Sequence, residues 1–367
     1  MTFRRRAIVA MSGGVDSSVV AALLHEEGFE VIGITMQLYD HGAMIQKTKA
    51  CCAGQDIADA KAVADTLGIT HYTFDYESLF KQAVMDTFAD SYLRGETPIP
   101  CIQCNQTVKF RDLLNVARDL GGEFLATGHY VRRIEGSHGP ELHQGFDATK
   151  DQSYFLFQTS RQQLDFLRFP LGGQTKTETR ALASRLGLNV ADKPDSQDIC
   201  FVPNGDYVSV VAKLRPEAHQ PGDIVLQDGT VVGQHEGIVQ FTIGQRRGIG
   251  VGGGEPLYVL RLEPDTRRVV VGHKKYLGQK EMHLMGLNWL GEEPIPEKGF
   301  EGSIKIRSAK SPVPATLYPD GRVVFAAPQE AVAPGQAGVF YHETRCLGGG
   351  WIKRPDYYSG LHNYVGA

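Results

Sequence analysis

The chain has 367 residues, with 38 Lys and Arg against 42 Asp and Glu, a net charge of −4 and 42% hydrophobic residues. That length exceeds one ordinary core, so two or three domains are expected, and the acidic balance excludes a protein that binds polyanions through its whole surface. No run approaches the roughly 18 apolar residues of a membrane span, and the basic-then-apolar start "MTFRRRAIVAMSGG" breaks at Gly13 and Asp16, too early for a secretory signal.

In chain order, "RAIVAM" reads as a buried strand and "SSVVAALLHEEG" as a helix ending at Gly28. "EVIGITMQLY" is a second strand, "QDIADAKAVADTLG" a helix closed by Gly68, and "THYTFDY" a third strand. Helices follow over "SLFKQAVMDTFADSYLRG" and "VKFRDLLNVARDLGG", then a strand over "FLATGHYV". Strands alternating with helices imply a parallel sheet, with ligands beyond the carboxyl ends of its strands. After about residue 205 the pattern turns to short β runs with Asp-Gly and Glu-Pro-Asp turns, the spacing of a small barrel or sandwich. The reading is one α/β domain followed by β-rich domains. Residues 241–280 hold eight Lys/Arg against three acids. Arg246, Arg247, Arg267, Arg268, Lys274 and Lys275 there suit either phosphate contact or a solvated face.

The first strand–helix junction, Ser12-Gly13-Gly14-Val15-Asp16-Ser17-Ser18, carries two glycines and three hydroxyls. A turn needs at most one such glycine. A backbone cradle for phosphate needs more, with hydroxyl donors and a helix N-terminus favouring negative charge. Asp16 suits either a helix cap or a share in Mg²⁺. Neither G-x-x-x-x-G-K-[ST] nor G-x-G-x-x-G stands here.

The six cysteines are too few for a disulfide framework at this length, so chemistry or burial is expected in a reducing, cytoplasmic setting. Cys104 and Cys200 each lie on a Pro- or Asp-rich segment that reads as a loop. Cys346 reads as structural, and the Cys51-Cys52 pair has no physical account. Cys101, Cys104 and Cys200 could ligate an iron–sulfur cluster with one open iron, whereas no fourth ligand is spaced for zinc.

"SGGVDSS" resembles the loop of PP-loop ATP pyrophosphatases, enzymes that adenylate a substrate oxygen and release pyrophosphate. "CNQTVKF", "ATGHYVR", "KDQSYFL", "DSQDICFVP", "FTIGQRRGIG" and "PGQAGVF" follow in order along nearly the whole chain, and together they resemble the tRNA-specific 2-thiouridylase family. The resemblance implies an α/β, parallel-sheet PP-loop domain (N-type ATP pyrophosphatase, adenine nucleotide hydrolase-like) over 1–205. A β-rich central tRNA-binding domain over 206–280 and a C-terminal β-barrel over 281–367 would follow. It implies ATP with Mg²⁺ as cofactors. ATP would sit on Ala10, Met11, Ser12, Gly13, Gly14, Val15, Asp16 and Ser17. Met36 would lie against adenine, and the missing side chain of Gly128 would admit the nucleotide. The reaction implied is thiolation of the wobble uridine in the anticodon arm of tRNAs for Lys, Glu and Gln. Uracil O2 is adenylated and then replaced by sulfur from a Cys200 persulfide, with Cys104 as partner nucleophile and a transient Cys104–Cys200 disulfide. The sulfur would come from a donor persulfide or relay protein, with no membrane partner.

Contacts to tRNA are implied for Ile99, Pro100, Cys101 and His129. They are implied also for the exposed polar triplet Lys150, Asp151 and Gln152, and for Arg307, Ser308 and Gln336. The family pattern before the nucleophile is Asn-Pro followed by Asp or Cys, and here it is Ile99-Pro100-Cys101, which removes an amide near the base. Ser308 stands where an aromatic usually follows Arg307. The competing readings are a different adenylating enzyme of the same loop, such as a small-molecule amide ligase, the cluster-dependent thiolase, and a tRNA-binding scaffold with a dead ATP site.

Overall fold

A computed structural model describes residues 5–39, 52–195, 198–202, 205–252 and 255–355. Cys51 lies outside these residues, as does the side chain of Cys52. The chain opens with β1 (Arg6–Ala10), α1 (Val15–Glu26), β2 (Glu30–Gln37), α2 (Cys52–Leu67) and β3 (Thr70–Asp75). A long helical run, α3, spans 77–93 and carries a π turn at Lys81–Asp86. A shorter one, α4 (Pro100–Cys104), continues into a π turn over Asn105–Lys109 and is followed by α5 (Asp112–Asp119). Next come β4 (Phe124–Ala126), a hairpin of β5 (Val131–Gly136) and β6 (Gly139–Gln144), α6 (Arg161–Phe166), β7 (Leu167–Arg168) and α7 (Lys176–Arg185).

Strands β3-β2-β1-β4-β7 form one parallel sheet. Its centre is the apolar run of β1, where Ile8 faces Ile32 on one side and Leu125 on the other. Both faces are covered, so β1 has no polar alternation: Ala7, Ile8 and Val9 are all fully buried. On one face Val19 and Val20 of α1 pack with Val63 of α2 and Ala183 of α7. On the other, Ile102, Phe110 and Phe157 join Val339 and Tyr341 from the far end of the chain in a single core.

The expected strand over "FLATGHYV" is two strands in different sheets. β4 stops at Ala126, residues 127–130 cross over, and Val131 begins the hairpin. The break follows from Thr127, whose hydroxyl is taken by His129 at 2.7 Å, and from Gly128, which abuts α1.

After α8 (Tyr207–Leu214), strands β8 (Gly222–Val225), β9 (Val231–His235), β10 (Tyr258–Glu263) and β11 (Arg268–Gly272) make a small sheet in the order β10-β11-β8-β9. The last six strands are β12 (Gly278–Trp289), β13 (Phe300–Lys305), β14 (Val313–Leu317), β15 (Arg322–Glu330), β16 (Ala337–His342) and β17 (Arg345–Ile352). They close antiparallel into a barrel, because β12 pairs with both β15 and β17. The hairpin β5–β6 extends this barrel sheet through β17, where Arg345 faces His143 and Cys346 faces Leu142. The α/β region thus lends two strands to the C-terminal sheet, which the expected three-part reading lacked.

Candidate active site

The glycine–hydroxyl junction lies at the carboxyl end of β1, as a ligand loop should. Gly13 has φ +72°, and a Cβ there would stand 2.1 Å from the Asp56 carbonyl oxygen. Its glycine is thus required by α2 packing as well as by conformation. Gly14 is the N-cap of α1 and supplies no side chain, so no side-chain oxygen caps the first turn. Asp16 is not a cap, contrary to one expectation. Ser17 and Ser18 donate their hydroxyls to the Gly14 carbonyl at 3.2 and 2.9 Å, and Ser12 N donates to Ser17 Oγ at 3.1 Å. The loop is braced from inside, with an uncapped helix N-terminus that suits an anion. Thr35 braces its exit: its hydroxyl donates to the Met11 carbonyl at 2.8 Å and pairs with His71 Nε2 at 2.8 Å.

Around the loop lies a charge network that joins Asp16 and Lys150, both expected site residues, to Tyr130, Lys176, Arg180, Lys193 and Asp195, which sequence reading missed. Lys176 Nζ donates to both Asp16 oxygens at 2.7 and 2.8 Å and pairs with Asp195 at 2.9 Å. Tyr130 donates its hydroxyl to Asp16 at 2.8 Å. Asp195 also receives Lys150 at 2.7 Å and Arg180 at 2.8 Å. Partial burial works to raise the Asp195 carboxyl, but the hydrogen bonds from Lys150 and Lys176 prevail and hold it at about 2. Lys193 ties the Gly13 carbonyl, at 2.9 Å, to Asp56 and Asp59. The one local signal was Thr175-x-x-Glu178, a capping box that starts α7 and so sets Lys176 and Arg180 on its first turns. Gly128 lies against this loop too. A Cβ there would come within 2.9 Å of Asp16 Cβ and Ser17 N, so its missing side chain admits the α1 N-terminus. Ala10 and Met36 are partly buried against the core, and Met11 fills the space over Gly33.

Cys101, Cys104 and Cys200 lie together at a second place, between apolar walls. Cys104 is not on a loop: Pro100 at the first helical position starts α4, and Cys104 ends it, buried at 6% exposure. Cys200 lies on a turn pinned by its neighbours. Phe201 packs edge-on against Phe80 and Phe88 at 5.7 and 5.2 Å, and Tyr39 donates its hydroxyl to the Cys200 carbonyl at 2.7 Å. Cys104, Val108, Phe201 and Val202 share one apolar cluster. Cys101 and Cys200 open to solvent, and both Cys104 and Cys200 are free thiols. The crowded walls there, with Cys104 and Cys101 alongside, push the Cys200 thiol up to about 12. Desolvation by the surrounding protein raises Cys101 and Cys104 as well, and Lys109 opposes it at all three. Among the described residues no three His, Cys, Asp or Glu side chains are arranged to hold a metal ion. Cys346 is fully buried, as a structural thiol should be.

The residues expected to meet tRNA are widely engaged within the protein. Lys150, Asp151 and Gln152 are half-buried rather than exposed. Lys150 pairs with Asp195, Asp151 accepts from Gly145 N and the Ser153 hydroxyl, and Gln152 accepts from Tyr130 N. Burial and Lys109 hold His129 down at about 3, a neutral ring edge-on to Phe110 and Phe169. Arg307 spans two β regions, donating to the Ile243 and Ala331 carbonyls at 3.1 and 3.2 Å, with its Nε buried and unpartnered. Gln336 donates to the Thr97 carbonyl at 2.8 Å, and Thr97 N donates to the Pro334 carbonyl at 2.8 Å. The barrel therefore grips the segment just before Ile99 and Pro100. Ser308 is exposed, as are Arg246, Arg247, Arg267, Arg268, Lys274 and Lys275.

Three family models divide the chain. One described as the tRNA methyl transferase HUP domain matches residues 5–204, one described as the tRNA methyl transferase PRC-barrel domain matches 209–273, and one described as the aminomethyltransferase beta-barrel domain matches 279–352. Sheet, loop and layout define an enzyme of the PP-loop class, a HUP domain carrying a PRC-barrel and a C-terminal β-barrel. The chain is 59% identical over 356 residues to the tRNA-specific 2-thiouridylase MnmA of Paracoccus denitrificans, covering 95% of this chain and 91% of that protein. It is 59% identical over 363 residues to that of Rhodospirillum centenum, covering 96% and 92%. With that of Rickettsia africae it shares 57% over 351 residues, covering 95% and 96%. This chain belongs to the tRNA-specific 2-thiouridylase family.

Proposed function

We propose that this enzyme replaces O2 of the wobble uridine in the anticodon arm of tRNA by sulfur, with the Lys, Glu and Gln isoacceptors as substrates. It acts in the cytoplasm and takes sulfur from a donor persulfide or relay protein. The observation that carries this reading is that Cys104 and Cys200 lie near enough to act on one another electrostatically, with Cys200 exposed and Cys104 buried. No helix among the described residues is long and apolar enough to cross a membrane.

The uncapped N-terminus of α1 and the cations round Ser12–Ser17 suit the triphosphate of ATP. Residues 10–17, Met36 and Gly128 form its proposed site. Mg²⁺ commonly keeps water and phosphate oxygens with one or two carboxylates, and Asp16 is the carboxylate at hand. Uracil O2 attacks the α-phosphorus and pyrophosphate leaves, so O2 becomes a good leaving group. The outer sulfur of a Cys200 persulfide attacks C2 and AMP leaves with O2. Cys104 thiolate then attacks Cys200 Sγ, breaking the S–S bond to the base. The products are 2-thiouridine and a Cys104–Cys200 disulfide, which an external dithiol reduces. For tRNA we propose Ile99, Pro100, Cys101, His129, Lys150, Asp151, Gln152, Arg307, Ser308 and Gln336, with domain boundaries near 205 and 280. The internal bonds of Lys150–Gln152, Arg307 and Gln336 give them a positioning share in that surface.

The test is a thiolation assay with purified protein, ATP, Mg²⁺, a persulfide donor and unmodified tRNA, read by nucleoside mass spectrometry. Wild type is expected to form 2-thiouridine, and Cys200→Ser none. Failure of wild type to do so, alongside RNA-independent AMP release with a small acceptor, overturns the reading in favour of an amide ligase. Loss in Cys101→Ser together with iron in an anaerobic preparation overturns the persulfide route in favour of a cluster.

A further inference from the structure

Of the cations near these two places, one is unlike the rest. Lys150, Lys176 and Lys193 each end on an aspartate within 3 Å. Lys109 is half-buried, and no carboxylate among the described residues pairs with it. A partly desolvated cation without a counter-ion is unfavourable by itself. Its position has a definite local cause. The backbone over Asn105–Lys109 is a π turn, closed by Phe110 N donating to the Asn105 carbonyl at 2.8 Å. Bonding from i to i+5 widens the turn, so the position five after Cys104 falls near the same face of the run. Cys101, three before Cys104, shares that face. Val108 is turned into the core beside Cys104 and Phe201. Among the described residues the ionisable groups here are Cys101, Cys104 and Lys109 from the helical run, Cys200 from the turn with the exposed Asp198 two positions before it, Tyr39 after β2, and His129 after β4.

We infer that Lys109 is a positioning residue for sulfur transfer, the cation that stabilises the sulfur anions of Cys200 and Cys104 between otherwise apolar walls. The inference rests on the thiolation reading above. Each transfer step there needs a sulfur anion: the outer sulfur of the persulfide when it attacks C2, and Cys104 when it attacks Cys200 Sγ. Each thiol gives its proton to solvent, and the sulfur left behind faces Lys109, whose charge favours the anion against the surrounding walls. Lys109 neither gains nor loses a covalent bond. With no resident carboxylate beside it, its charge is available to whichever sulfur is ionised at that stage. Burial, with a smaller contribution from the same charge, keeps His129 neutral, so no second cation forms there.

The test is alkylation of individual cysteines by iodoacetamide from pH 6 to 10, read by peptide mass spectrometry on the full-length protein. It needs neither ATP nor tRNA. Removing a positive charge shifts thiolate formation to higher pH. The scan lies below the Cys200 midpoint, where the rate follows the thiolate fraction, so Lys109→Met is expected to slow Cys200 alkylation roughly tenfold at every pH in it. Lys109→Arg keeps the charge and is expected to stay within about twofold of wild type. Lys109→Gln serves where Lys109→Met does not fold, as judged by an unchanged urea midpoint. Superimposed profiles for wild type and the neutral variants overturn the inference. If alkylation shifts while wild type makes no 2-thiouridine, the charge effect stands and the thiolation reading falls. If 2-thiouridine forms and alkylation does not shift, only Lys109 loses its role.

Discussion

The nucleotide loop and the thiol site lie in the same domain and are held by opposite means. At the loop, Asp16, Lys176, Asp195, Lys150 and Arg180 form a chain of ion pairs, and Lys193 clamps the Gly13 carbonyl to α2. At the thiols, packed rings of Phe80, Phe88 and Phe201 fix the Cys200 turn, and Lys109 has no carboxylate partner among the described residues. A site that receives a polyanion can keep its cations in order with aspartates until the ligand arrives. On the proposed reading the thiol site makes a sulfur nucleophile, and an apolar wall serves that by keeping water from the reacting atoms, while a paired carboxylate on its cation would spend the charge the sulfur anion needs.

The contrast breaks most visibly at Phe201. Phe201→Ala removes a ring that is 2% exposed and is expected to cost about 3–5 kcal/mol by urea denaturation, insensitive to added salt. Cys200 alkylation should quicken as the turn loosens. At the loop, Lys176→Met leaves Asp16 and Asp195 without their shared cation. We expect a loss of about 1–3 kcal/mol, since the side chain is 12% exposed, together with weaker ATP binding by calorimetry. Unlike the first loss, this one should diminish at high salt. The smallest effect is that of acid. Asp195 is held at about 2 when folded, against an ordinary carboxyl near 3.9 when unfolded. Its contribution is present above pH 4 and disappears as pH falls through 2, on the order of 2 kcal/mol. Asp195→Asn should flatten that part of the stability profile and leave a Phe201→Ala profile unchanged in shape.

The strand–loop–helix at residues 6–26 was legible in sequence because its causes are local: an apolar run, a glycine pair and a helical period. The helix bearing Cys104 was not, since Ile-Pro-Cys reads as loop until Pro100 is recognised as a first helical residue. The hairpin's departure from the first sheet was hidden inside one apolar run, where Thr127 and Gly128 mark the break only through contacts with distant elements. The charge network was least legible of all. Lys176 and Asp16 are 160 positions apart, and no spacing rule links them. The polar triplet at Lys150 misled for the same reason: three polar residues read as surface, and their partners were supplied by tertiary structure.

The hairpin of residues 131–144 also sets a timetable. Its outer edge pairs with Arg345 and Cys346, some two hundred residues later in the chain. At a synthesis rate of about 5–20 residues per second, that edge waits roughly 10–40 seconds on the ribosome before its partner strand is made. During that interval β6 is an open edge. It carries Glu141, which is hydrogen-bonded to His143 at 2.9 Å, and a carboxylate on an unpaired edge discourages association with another nascent chain. The hairpin lent by the first domain is thus completed by a strand made some two hundred residues later, and a chain released before that strand would expose the edge for as long as it survived.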